Sequence, residues 1–202
     1  MIVIDVETSG VDPYKNSLLS IGAVEFERSE NQFYGECRVW EGAHIDPEAL
    51  LINGFTQVQV TDPKKKSDKD LLLDFLQWAN GCSEKTIAGH NPSFDRDFLR
   101  VTAMRYHVNW PFAHRTIDLH SIAYFHALRR GIAPPQKNNH SDFSLDKILE
   151  YTGIPPEPKP HNGLMGAKLE SEVFHRFFKG RPLFREWQSI PVVWESEMPK
   201  NP

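Results

Sequence analysis

The sequence predicts an α/β domain built on a mixed sheet, and three observations carry that prediction. Apolar runs with strand character fill the first part of the chain. Segments with helical spacing and capping residues follow, and later strands run directly into helices. Residues 2–7 (Ile-Val-Ile-Asp-Val-Glu) read as the first strand and residues 18–27 as the second, with Leu19, Ile21 and Ala23 alternating against Gly22 and Val24. Ser9-Gly10-Val11-Asp12-Pro13 supplies turn chemistry between them. A third strand is expected over residues 33–40. Residues 46–51 read as a short helix, with Asp46 as N-cap and Pro47 in its first position. Lys64-Lys65-Lys66 precedes a helix over residues 68–80, whose Leu72, Phe75, Leu76 and Ala79 form an apolar stripe. A strand at residues 86–89 runs into a helix opened by Asn91 and Pro92, and Thr116-Ile117-Asp118-Leu119 starts a second such passage. Residues 144–152 and 164–178 read as further helices. Residues 131–141 and 154–160 read as loops; the second, rich in proline, is stiff and delivers the chain to His161.

Within this frame, three acids sit where acids are costly. Asp5 and Glu7 interrupt the apolar run of the first strand, and Asp95 lies in His90-Asn91-Pro92-Ser93-Phe94-Asp95. In a strand, side chains alternate, so Asp5 and Glu7 project from one face while Ile4 and Val6 pack on the other. Two carboxylates in one partly apolar patch raise each other's pKa and cost stability unless a cation lies between them. A divalent metal held by oxygen ligands answers that need.

At 202 residues, with 40% hydrophobic and 25% charged residues, the chain is expected to be one ordinary soluble domain. No apolar stretch reaches the ~18 residues of a membrane span, and no secretory leader pattern opens the sequence. Cys37 and Cys82 have no metal-like spacing and cannot make a disulfide framework, which fits a reducing compartment; the expectation is a cytoplasmic protein. A net charge of −4 argues against bulk electrostatic coating of nucleic acid, though not against an enzyme that grips a few nucleotides.

Taken singly, each candidate has a plainer reading. Asp5 and Glu7 could lie on a solvated strand face, Asp95 could favour the positive end of its helix, and His161 could be a surface histidine. Asp118 is most simply an N-cap. The ordered combination is more specific. Asp5-x-Glu7-Thr8, then His90-Asn91-x-x-Phe94-Asp95 at a strand-to-helix junction, then His161 before a late helix resembles the DnaQ-like 3′–5′ exonucleases of the DEDDh type, within the ribonuclease-H-like fold. The likeness spans roughly residues 1–178. It includes Ile52-Asn53-Gly54-Phe55-Thr56, similar to the family's His-Gly-Ile-Thr, and Ser144-Leu145-Asp146-Lys147-Ile148-Leu149, similar to its Ser-Leu-x-x-Leu helix.

The resemblance implies a mixed five-stranded sheet flanked by helices, an exonuclease domain over residues 1–180, and two divalent ions, Mg²⁺ or Mn²⁺. Such ions neutralise the phosphate, activate water and support the departing 3′-oxygen. It implies Asp5 as the ligand shared by both ions, Glu7 and Asp95 as the remaining acids, and His161 as general base, a role that a free imidazole pKa near 6.5 suits. Thr8 is the residue expected at the terminal 3′-hydroxyl; Asn91 and Phe94 join it as substrate contacts, although Phe94 shares a stripe with Phe98 and is as readily core. The implied ligand is a single-stranded 3′ end of DNA or RNA.

One position departs from the pattern. The family's third motif reads His-x-Ala-x-x-Asp-Ala, and here Gly166 stands where the fourth carboxylate belongs. Glycine within a helix costs about 1 kcal/mol relative to alanine, so Gly166 is expected to bring no structural benefit. An altered position in an active-type enzyme, a weakened or inactive relative that binds 3′ ends, and a substitute acid are the alternatives. Glu170, four residues on, is the nearest candidate, but its backbone starts a full turn, about 5.4 Å, further along, so rescue is not expected. Arg96, Arg100, Arg105, Arg115, Arg129, Arg130 and Lys137 could line a phosphate track or a solvated surface. The tail, residues 181–202 with Trp187 and Trp194, is expected to fold back on the domain or to dock a polymerase or other partner.

Overall fold

The computed structural model describes residues 1–194, and in it a five-stranded sheet separates two helical layers. Strands β1 (Ile2–Thr8), β2 (Leu18–Glu25), β3 (Gln32–Glu36), β4 (Ile87–Gly89) and β5 (Thr116–Asp118) assemble in the order β3-β2-β1-β4-β5. β1, β2 and β3 pair antiparallel; β1, β4 and β5 run parallel. The sheet is therefore mixed, as the alternation of patterns predicts.

Helices α1 (Pro47–Asn53), α2 (Gln57–Val60), α3 (Asp68–Asn80) and α4 (Pro92–Arg105) precede or flank the parallel half. Helices α5 (Leu119–Arg129), α6 (Leu145–Thr152) and α7 (Gly163–Lys179) follow. Ile2, Ile4 and Val6 of β1 pack with Leu71, Leu72 and Phe75 of α3 and Phe98 and Leu99 of α4. Val3, on the opposite face, packs with Leu119, Ile148, Val173 and Phe174 of α5, α6 and α7. Burying each such side chain contributes about 1.5–3 kcal/mol, and both faces of the central strand contribute.

The helix limits follow from their caps. Asp46 caps α1 through the Glu48 amide, with Pro47 next to it, and Gly54 ends it in the left-handed region at φ +73°. Thr56 and Gln59 form a capping box on α2, a helix with no sequence-level expectation. Ser67 caps α3, Asp118 caps α5 through the His120 and Ser121 amides, and Asn162 caps α7.

Four expectations are corrected. β2 stops at Glu25 and gives way to a 3₁₀ turn at Phe26–Arg28; all its residues are buried, so no inside-outside alternation exists, because helices cover both faces. β3 ends at Glu36 rather than reaching residue 40; beyond it Arg38 makes only an isolated bridge to Ser67. The supposed loop at 131–141 contains a two-stranded ribbon, β6 (Gln136–Lys137) and β7 (His140–Ser141), turned by Asn138 and Asn139 at φ +52° and +62°. Its two asparagines are the signal, since asparagine tolerates positive φ.

After α7 the chain returns along the domain. Arg176, fully buried, pairs with Glu172 at 2.7 Å and donates to the carbonyls of Thr152, Trp187, Ile190 and Pro191. Glu172 also accepts from the Leu183 and Phe184 amides. Trp194 stacks on Phe177 at 5.3 Å. Residues 195–202 of the tail lie outside the described residues. Among the described residues no helix is long and apolar enough to cross a membrane.

Candidate active site

The site forms at the C-terminal end of β1, the middle strand, where the parallel half of the sheet leaves a crevice. Asp5 and Glu7 project to the side covered by α7. That helix sits unusually close. A Cβ at Gly22 would lie 2.0 Å from the Gly163 carbonyl carbon, so the first turn of α7 rests on the sheet backbone itself.

Gly166 faces Asp5 one turn later. A Cβ there would lie 1.9 Å from Asp5 Oδ2 and 2.8 Å from Asp5 Cγ. Any side chain at 166 would therefore have to push the Asp5 carboxylate aside. This corrects the expectation that Gly166 has no structural benefit: glycine is what admits the Asp5 side chain beneath the helix.

Asp95, in the first turn of α4, is 5% exposed and accepts a 2.9 Å hydrogen bond from the Val6 amide. β4 ends at Gly89, so Val6 runs past its neighbouring strand and Asp95 satisfies the amide instead. One bond therefore ties the second acidic motif to the first across 89 residues of sequence.

His161 precedes the Asn162 cap of α7 and is partly exposed. Its amide donates to Ile52 O at 3.4 Å, and its Nδ1 lies 3.5 Å from Glu157 Oε2. Glu157, buried among the prolines of the preceding segment, was not a candidate on sequence grounds. The available signal was an acid four residues before a histidine in a stiff stretch, a pattern weak on its own.

The electrostatics bind these groups into one set. Burial, then the charges of Glu170, Asp95, Glu7 and Glu157, push the Asp5 carboxyl well above the usual range. Burial, then Glu157 and Asp95, bring Glu7 up to about 7. Asp95 rises to about 7 through burial, opposed by its hydrogen bonds. Glu157 is raised by burial and held back by His161, and Glu170 is raised well above its ordinary value by burial and by Asp95. Five acids thus influence one another's ionisation, and His161 faces one of them, Glu157. Asp5, Glu7 and Asp95 act on one another through their charges, with Asp95 tied to the same strand by the Val6 amide, and His161 faces the set through Glu157.

Comparison with known proteins decides the family. Residues 2–174 match RNase_T, described as "Exonuclease". The chain belongs to the RNase_T exonuclease family. It is 31% identical over 194 residues to ribonuclease T of Shewanella oneidensis, covering 86% of this chain and 79% of that one. It is 29% identical over 119 residues to ribonuclease T of Haemophilus influenzae, and 27% identical over 177 residues to the PolC-type DNA polymerase III of Thermotoga maritima. The matches cover 51% of the Haemophilus protein and 12% of the polymerase, so the chain spans about half the length of the former and a small part of the latter. Among solved structures, E. coli exonuclease I in complex with a dA16 oligonucleotide superposes with TM-score 0.70 at 20% identity, over 89% of this chain and 41% of that one. The nuclease domain of 3′hExo, a DEDDh family member bound to rAMP, gives 0.67 at 16% identity, over 95% and 94%. The fold is thus the DnaQ-like, ribonuclease-H-like one.

The RNase_T family is metal-dependent, and the donor chemistry here fits a hard divalent cation. Glu7, Asp95 and Glu170 are buried, Asp5 is half-buried, their charges repel one another, and Glu170 Oε2 has no hydrogen-bond partner. Among the described residues no three His, Cys, Asp or Glu side chains are arranged to hold a metal ion as they stand. The fit is therefore one of charge and chemistry.

The remaining candidates are mixed. The Thr8 hydroxyl donates to Gly10 O at 2.7 Å and Thr8 O accepts from Asn53, so the Ile52-to-Thr56 segment braces the strand end. Asn91 is exposed with φ +55° and provides no side-chain cap to α4; its amide donates to Asp118. Phe94 is half-buried and packs on Phe98 at 4.9 Å. The arginines do not form a single track. Arg105 stacks on Trp40 and bonds Asp68, Arg96 bonds Asp97 and His114 O, and Arg130 lies over Tyr151 and Trp194.

Proposed function

We propose that the chain, through residues 1–180, is a metal-dependent 3′–5′ exonuclease that releases nucleoside 5′-monophosphates from single-stranded 3′ ends of DNA or RNA. What supports this reading is the mutual charge influence of Asp5, Glu7 and Asp95, the last held against β1 by the Val6 amide, together with the Glu157–His161 pair. Two divalent ions, Mg²⁺ or Mn²⁺, would neutralise the phosphodiester and acidify the attacking water, which is what this chemistry needs. Asp5, Glu7 and Asp95 would be the residues that hold them.

The other groups act directly. His161 accepts the proton of the attacking water; with Nδ1 turned to Glu157, Nε2 is the nitrogen for that transfer. Asn53 and the Thr8–Gly10 bond fix the strand end where the terminal sugar would lie, with Thr8 and Asn91 as polar contacts and Phe94 as a stacking surface. The oligonucleotide held by exonuclease I and the rAMP held by 3′hExo support single-stranded 3′ ends as the substrate class. A polymerase as partner, suggested by the PolC relative, has weaker support: residues 181–194 already pack on their own domain through Arg176.

Gly166 favours one second reading, a module that binds 3′ ends without cutting. Incubating 5′-labelled single strands with Mg²⁺ or Mn²⁺ separates the two. A ladder shortening from the 3′ end, abolished by Asp5→Ala together with metal uptake, is the expected result. Retarded but intact strands would establish the binding module. Unchanged metal uptake in Asp5→Ala would overturn the assignment of the site.

A further inference from the structure

We infer that Glu170 supplies the fourth carboxylate of this metal site, in place of the acid missing at position 166; the inference rests on the metal-dependent reading above. The decisive feature is an orphaned oxygen. Glu170 is 3% exposed, yet its Oε2 has no hydrogen-bond partner. Buried carboxylate oxygens without donors are costly and rare, and their usual explanation is an ion or water that belongs there.

Placement supports the same conclusion. Gly166 and Glu170 are four residues apart on α7, so they share a face, and Gly166 lies against Asp5. Helical side chains lean toward the N-terminus of their helix, which carries the longer Glu170 side chain back over the turn that begins at Gly166. This removes the objection that its backbone starts one turn too far along. Oε2 reaches the sheet: it lies 3.1 Å from where a Cβ of Gly89 would be, at the end of β4, and that same Cβ would be 2.9 Å from Ile4 O, next to Asp5. Glycine at 89 is what leaves the oxygen this room. Asp95 is the charge that acts most strongly on Glu170, and Glu170 the one that acts most strongly on Asp5.

Mn²⁺ titration by calorimetry on purified protein tests this without reference to activity. Glu170→Gln is expected to weaken Mn²⁺ binding by about tenfold or more, or to reduce two bound ions to one. Glu170→Asp, which keeps the charge but shortens the reach, should lose affinity likewise. Gly166→Asp combined with Glu170→Gln should recover at least part of it, which also guards against misfolding of the single variant. Wild-type titrations from Glu170→Gln would overturn the inference while leaving the exonuclease reading intact. Retention by Glu170→Asp alone would reduce Glu170 to a source of field and overturn it as well. No Mn²⁺ uptake by the parent protein would instead sink the metal-dependent reading.

Discussion

The carboxylate of Asp5 lies in the space beside Gly166 that a side chain would enter: a Cβ at 166 would stand 1.9 Å from Asp5 Oδ2 and would push that carboxylate aside. A glycine that looks like a defect in the family's third motif therefore has a function of its own, which is to admit the central acid beneath α7.

That relationship makes Gly166→Ala informative. Alanine should strengthen the helix by about 1 kcal/mol, but it must displace the Asp5 carboxylate. The expected outcome is a small change in Tm together with loss of Mn²⁺ affinity and of nuclease activity. An alanine variant that binds metal and cuts as well as the parent would show that Asp5 does not work from this position.

The crowded acids predict how metal-free stability depends on pH. Glu7 and Asp95 have folded-state values near 7, above their ordinary ones near 4, so they resist ionisation in the native state. Groups raised in this way contribute stability that is fully present below the unfolded pKa and is lost as pH rises through the folded one. In EDTA, Tm should therefore fall between about pH 4.5 and 7.5, and Mn²⁺ should restore it increasingly over the same interval. Glu25, lowered to about 2 by hydrogen bonds from Ser83, Asn31 and Arg28 that outweigh its burial, acts oppositely, but only toward more acidic pH. A Tm that rises with pH across the upper window in EDTA would contradict the prediction.

Glu157 is a positioning residue for His161. Replacing it by glutamine removes the carboxylate facing Nδ1 while keeping the volume. A positioned general base is worth on the order of 10²–10⁴-fold, and part of that should be lost: kcat is expected to drop roughly tenfold with KM nearly unchanged. Equal effects on both parameters, or none, would place Glu157 outside the mechanism.

Arg176 anchors the C-terminal segment. It is fully buried, paired with Glu172 and bonded to four carbonyls. Breaking a buried pair leaves an uncompensated charge, so Arg176→Met should cost about 3–5 kcal/mol in urea unfolding. It should also expose residues 181–194 to limited proteolysis, whereas an unaltered cleavage pattern would mean the segment is held by Trp187 and Trp194 packing alone.

By itself, the sequence determined what local chemistry can encode. The apolar periods placed β1, α3 and α4, the residues Asp46 and Asn91-Pro92 marked helix starts, and the ordered acids and His161 pointed to the family. It stopped short where the relevant neighbours are remote in the chain. The burial of β2 on both faces, the Val6 to Asp95 bond, the pairing of Glu157 with His161, and the unpartnered Glu170 oxygen depend on which helix covers which face and how closely. Only the tertiary structure decided these, because the seating of α7 on Gly22 and Gly163 sets distances between side chains that one-dimensional spacing leaves free. The same seating brings Asp5 against position 166, so what a side chain there would meet is set by Asp5 and not by the helix in which the residue lies.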